Sequence, residues 1–135
     1  MVVDTSAIIA IVLNEPEAPL LIEALGNASR AAMSAATRVE LAAVLARGLS
    51  PEDARRAERV VDRAGIEIVP FDANQARIAS DAYRTFGRGS GHAANLNLGD
   101  CFSYALAIAR DEPLLFTGND FGHTDVRSAM PNSRG

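Results

Sequence analysis

The chain has 135 residues, 48% of them hydrophobic and 22% charged, with a formal net charge of −4. That balance fits a single soluble domain over residues 1–135, with no run near the ~20 apolar residues of a membrane span and no basic stretch ahead of the first apolar run as in a signal peptide. All thirteen basic residues are arginine and Cys101 is the single cysteine, which excludes lysine Schiff-base and P-loop chemistry, an internal disulfide and a cysteine zinc site, and suits a reducing cytoplasm.

In chain order, Val2 to Asp4 reads as a first strand, followed by a helix to about Leu13. Asn14 is expected to cap a second helix, with Glu15, Pro16 and Glu17 in its first turn and Gly26 at its end. Ala31 to Ser34 is a short second strand, and the alanine-rich run Ala35 to Arg47 a third helix. Ser50-Pro51-Glu52-Asp53 predicts a capping box that opens a helix carrying Arg55, Arg56, Arg59 and Arg63 and closing at Gly65. Ile66 to Val69 alternates as a strand, and Asp72 caps a helix ending near Gly87. A glycine- and asparagine-rich loop follows. From Asp100, DCFSYALAIAR is apolar on almost every face and predicts a buried central helix. Pro113 to Thr117 is a core strand; after Asp125 come a weak final strand and a frayed end. Strands alternating with helices predict an α/β fold with a mainly parallel sheet of four to five strands.

Four acids stand out on that map. Asp4 ends the first strand with no basic residue near it in sequence, although a buried lone charge costs several kcal/mol. It must be paired, solvated, protonated or bound to a metal. Asp120 lies just past the Pro113–Thr117 strand, and ligands of parallel sheets bind at the carboxyl ends of strands. Asp100 sits in the first turn of the central helix, where the helix dipole favours an anion. Glu40 lies in the third helix, with Thr37 and Val44 on its face. Taken singly, a helix acid, a turn acid in GNDF and a half-exposed glutamate are ordinary. Converging at the strand ends, four carboxylates would repel unless a cation held them. Oxygen-only ligands favour Mg²⁺ or Mn²⁺, which activates a bound water and offsets phosphoryl charge. Thr5 and Ser6 add hydroxyls that either support such a site or cap the first helix.

VVDTSAIIAIVLNEPEA, the Val39-Glu40 pair, LNLGDCFSYALA and PLLFTGNDFGHTDV, in this order and spacing, resemble the PIN-domain family, specifically the VapC-type toxins of bacterial toxin–antitoxin pairs. The resemblance covers nearly the whole chain. It implies a three-layer α/β/α sandwich, and a metal-dependent endoribonuclease leaving 5′-phosphates. Asp4, Glu40 and Asp100 match the family's three core acids. The fourth is placed on Asp120, with Asp125 as the alternative, because Asn119 stands where similar toxins often read aspartate. Thr5 or Ser6 matches the supporting hydroxyl. The resemblance also implies a VapB-type antitoxin and a homodimer. The net negative charge gives no global attraction to RNA, so Arg38, Arg84 and Arg88 are candidates for a local basic rim and His92 for an RNA contact. A haloacid-dehalogenase-like phosphatase would need a second aspartate at Ser6, and a receiver domain needs a lysine. The remaining rival is a PIN-like module that binds RNA or a protein without cutting, a reading that Asn119 sustains.

Overall fold

The computed structural model describes residues 1–131. Four parallel strands, β1 (Val2–Val3), β2 (Ala32–Ser34), β3 (Glu67–Val69) and β4 (Leu114–Leu115), form one sheet in the order β3-β2-β1-β4. Val2 stands opposite both Ala32 and Leu114, and Met33 opposite Ile68. Six helices cover it: α1 (Thr5–Val12), α2 (Ala18–Asn27), α3 (Ala35–Gly48), α4 (Pro51–Arg63), α5 (Ala73–Phe86) and α6 (Leu98–Arg110).

The two-residue alternation of strands splits the core into two layers. Val3, Met33 and Leu115 face one way and pack with Ile8, Leu21, Leu41 and Val61 of α1 to α4. Val2, Ala32 and Leu114 face the other way and pack with Ala79 and Ala82 of α5 and with Tyr104, Ala105 and Leu106 of α6. The result is the expected α/β/α sandwich. In α4, Ala57 and Val61 are buried one turn apart, while Arg55, Arg56, Arg59 and Arg63 are exposed.

Local chemistry sets the helix ends, in three places otherwise than the sequence suggests. Asn14 does not cap α2. It adopts a left-handed conformation with φ +53° and closes α1, with Asn14 N–H donating to Ile11 O and Glu15 N–H to Ala10 O. Asparagine tolerates this conformation, and the paired bonds satisfy carbonyls of the last turn. α2 then starts at Ala18 without a side-chain cap. At α4 the capping box is half made: Ser50 Oγ accepts from Asp53 N–H, but the Asp53 carboxylate pairs with Arg56. The expected final strand is a single bridge between Ser128 and Leu114, so the sheet has four strands. The expected frayed end falls in part on residues 132–135, outside the described residues. Asp72 caps α5 as expected, accepting from Gln75 N–H at 2.9 Å.

Leu41 of α3 is fully buried between the sheet and α4. Leu41→Ala should therefore cost about 2–5 kcal/mol in urea unfolding, through lost burial and the cavity left behind; a negligible change would contradict this packing.

Candidate metal centre

After β1 the chain builds the sheet outward through β2 and β3, then returns to the other side of β1 as β4. At such a reversal the carboxyl ends of adjacent strands open a crevice. Asp4 follows β1, and Thr117 lies just beyond β4. A hollow of about 340 Å³ opens there, and the acids Asp4, Glu15, Glu40 and Asp100 line it together with Thr5, Ser6, Asn97 and Thr117. Among the described residues, no arginine or histidine lines this hollow.

Three of these acids, Asp4, Glu40 and Asp100, are held by hydrogen-bond donors. Asp4 is only 3% exposed and is the N-cap of α1. Its backbone N–H donates to Leu115 O, Oδ2 accepts from Ser6 N–H at 3.0 Å, and Oδ1 accepts from Ser103 Oγ at 2.5 Å. Asp4 thus carries out the capping that Thr5 and Ser6 were candidates for. Thr5 instead donates its hydroxyl to Glu40 Oε1 at 2.8 Å, and Ser6 Oγ accepts from Thr117 N–H at 3.1 Å. Asp100 and Asn97 form a capping box at the start of α6: Asp100 N–H donates to Asn97 Oδ1, and Asn97 N–H to Asp100 Oδ2. Gly99 makes room for Glu40. A Cβ at Gly99 would stand 1.4 Å from Glu40 Oε2, so any side chain there would evict the carboxylate.

Burial pushes the Asp100 carboxyl up to about 7; the Asn97 backbone hydrogen bond opposes this, and the charges of Asp4, Glu40 and Asp120 add to it. Burial also raises Glu40, opposed by the Thr5 hydroxyl and reinforced by the charge of Asp4. Both carboxyls are perturbed because negative groups share a half-dry site with no positive partner.

These groups fit a hard divalent cation: the donors are all oxygen, and the acids lack a compensating charge. Among the described residues, no three acidic, histidine or cysteine side chains form a ready-made coordination cluster. The acids rim the hollow rather than meet at a point, a spacing that suits an ion keeping part of its water shell.

The other candidate residues lie further out. Asp120 is exposed and does not line the hollow, although its charge bears on Asp100. Asn119 beside it is exposed, and Asp125 accepts from Tyr104 Oη at 2.6 Å, tying the C-terminal segment to α6. Arg38 pairs with Glu58 and Arg84 with Asp81. Arg88 is exposed and makes no ion pair among the described residues. His92 secures its own loop, with Nδ1 accepting from Ala94 N–H and the ring set edge-on to Phe86. Sequence reasoning missed Glu15, which the left-handed Asn14 delivers to the hollow, and Ser103, a hydroxyl in an otherwise apolar stretch one turn after Asp100. That spacing was the available signal.

The chain belongs to the PIN-domain family: residues 1–127 match the PIN domain. Within that family its relatives are VapC ribonucleases. Ribonuclease VapC42 of Mycobacterium tuberculosis is 54% identical over 129 residues, covering 96% of this chain and 98% of the relative. The fold is shared with VapC20 of M. tuberculosis, a sarcin–ricin-loop-cleaving toxin, at a TM-score of 0.73 and 15% identity, covering 96% of this chain and 98% of that one. It is also shared with VapBC2 of Rickettsia felis, solved bound to a DNA fragment from its promoter, at a TM-score of 0.66 and 15% identity, covering 94% of each chain. The family and the sandwich fold expected from the sequence are thereby borne out.

Two outcomes test this geometry. In metal-free protein, unfolded Asp100 ionises near its ordinary value of 3.8, whereas burial in the folded state pushes the carboxyl up to about 7. The folded state therefore binds more protons in that window, and the Asp100 contribution to stability falls as pH rises through it. In EDTA, thermal unfolding of Asp100→Asn should gain on wild type from pH 5 to pH 8; a pH-independent difference would contradict the shift. Gly99→Ala should lower the melting temperature by displacing Glu40, and pairing it with Glu40→Ala should recover most of that loss. No recovery would show that the close approach of Gly99 to Glu40 is not the cause.

Proposed function

We propose that this protein, acting as one PIN domain over residues 1–135, is a divalent-cation-dependent endoribonuclease and the toxin partner of a VapB-type antitoxin. The observation that carries this reading is the acid-lined hollow at the sheet's reversal point, with four carboxylates and, among the described residues, no cationic side chain. The ribonuclease names of relatives aligned over almost the whole chain support RNA as the substrate.

Asp4, Glu40 and Asp100 would hold Mg²⁺ or Mn²⁺, with Glu15 at the rim and Asp120 adding charge from outside. The bound cation would supply a water of lowered pKa and offset charge on the scissile phosphoryl group. The protein's own part is preorganisation. Ser6 and Ser103 fix Asp4, Thr5 fixes Glu40, and Asn97 fixes Asp100, so the acids need little rearrangement when the substrate arrives. Attack by that water with the 3′-oxygen as leaving group, rather than attack by the 2′-hydroxyl, would leave a 5′-phosphate and a 3′-hydroxyl. With Arg38 and Arg84 engaged in ion pairs, Arg88 is the candidate best placed to meet a phosphate.

Two exposed apolar surfaces support protein partners. A hollow of about 720 Å³ between α1, α2 and α4 has an apolar floor of Ile11, Ile22 and Leu25 and a rim of Arg56, Arg59 and Arg63. It suits an acidic amphipathic segment of the antitoxin. On α3, Val39 is 70% exposed in an alanine-rich stretch, a surface suited to a second copy of the chain.

The test is cleavage of total bacterial RNA with Mg²⁺ or Mn²⁺ and with EDTA. Discrete fragments bearing 5′-phosphates should form only with metal. Asp4→Asn, verified as folded by circular dichroism, should cut at least about 100-fold more slowly, the scale on which one preorganised electrostatic group acts. Cutting that survives EDTA or Asp4→Asn would overturn this reading. A folded protein that neither cuts nor binds Mg²⁺ or Mn²⁺ would instead be a binding module.

A further inference from the structure

Beneath the acids lies a second polar layer. Asp4 is 3% exposed, and Thr37 and Ser103 are fully buried at 0%. Ser103 Oγ donates to Asp4 Oδ1 at 2.5 Å and lies 3.2 Å from Thr37 Oγ1. An ionised carboxylate only accepts, and a serine hydroxyl has one proton to give. With that proton committed to Asp4, Ser103 accepts from Thr37, so the order runs Thr37 to Ser103 to Asp4. A chain of this kind polarises every member in the same sense. Its placement follows the helices: Thr37 lies three residues before Glu40 on α3, and Ser103 three residues after Asp100 on α6. Each helix therefore presents an acid to the hollow and a hydroxyl beneath it on the same face.

We propose that Thr37 and Ser103 form a directed hydroxyl relay that fixes the Asp4 carboxylate for a divalent cation. The proposal rests on the reading of Asp4 as a metal ligand given above. Both residues are positioning residues, acting on the ion only through Asp4. Ser6 N–H holds Oδ2 and Ser103 holds Oδ1, so the carboxylate plane is set at both oxygens. Without Ser103 that plane is free to turn about a broad torsional well, and Oδ1 is left buried without this donor. Among the described residues, the hydrogen-bonded route from Thr37 to Asp4 runs through Ser103. Its effect on metal affinity therefore exists only while Ser103 is present.

The experiment is calorimetric titration of the full chain with Mn²⁺, without RNA, for wild type, Ser103→Ala, Thr37→Val, the double variant and Asp4→Asn. Thermal unfolding in EDTA checks each fold. Ser103→Ala should weaken Mn²⁺ binding about 10- to 100-fold, the usual effect of removing a group that orients a metal ligand. Thr37→Val should weaken it less, and the double variant should bind no more weakly than Ser103→Ala alone. A purely structural role for Thr37 would not vanish in this way. If Ser103→Ala fails to fold, Ser103→Cys, similar in shape but a weaker donor, carries the same expectation. Unchanged Mn²⁺ affinity in Ser103→Ala, with binding lost in Asp4→Asn, would overturn the relay and leave the acidic site standing. Full additivity of the two single variants would overturn the directed order. A wild type that binds no Mn²⁺, or an Asp4→Asn that binds as well as wild type, would remove the acidic-site reading and the relay together.

Discussion

A carboxylate placed almost out of water at the end of the first strand governs much of this molecule. Among the described residues no arginine pairs with Asp4; it is held by an N–H from the helix it caps and by a hydroxyl from α6. Hydrogen bonds of this kind lower the cost of burial but do not cancel the charge. Because Asp4 ends β1 at the reversal point of the sheet, α3 and α6 must approach close to it. They bring Glu40 and Asp100 with them, and Gly99 lacks the Cβ that would displace the Glu40 carboxylate. The raised carboxyls of Glu40 and Asp100 follow from the same crowding.

Charge is distributed elsewhere in keeping with this. Among the described residues the arginines lie outside the hollow, four of them on the exposed face of α4, and Arg38, Arg56 and Arg84 pair with acids that do not line it. A cationic side chain in the hollow would compensate the acids permanently and compete with a metal ion. Among the described residues none lines the hollow, so its carboxylates lack that compensation. The sheet is short, with strands of two or three residues, yet both of its faces are covered, and stability comes from the helices packed on it.

Much of this was legible in the sequence where local chemistry decides. Asp72 before α5, Gly65 after α4 and the apolar pair Val2-Val3 act through neighbours a few residues away, so they read directly. Asn14 misled because one side chain serves equally well to open a helix or, in the left-handed conformation, to close one, and the tight exit of α1 chose the second. The final strand was over-read because Ser128 finds one partner on Leu114 and the chain then turns away. Asp4 was legible as an acid out of place, while Glu40 and Asp100 stood out only through the joint pattern and the family resemblance. Glu15, Thr37 and Ser103 were not legible, because their part depends on which residues from other elements meet them. Ser103 and Asp4 are 99 positions apart and hydrogen-bonded.

The account turns on a cation replacing the missing positive charge among these acids. Its most direct test is a crystal structure of the protein grown with Mn²⁺, with the ion located by its anomalous scattering. The account predicts a peak in the hollow, within direct or water-bridged reach of Asp4, Glu40 and Asp100. A well-ordered hollow with no such peak, or Mn²⁺ bound only at other acids of the surface, would contradict it.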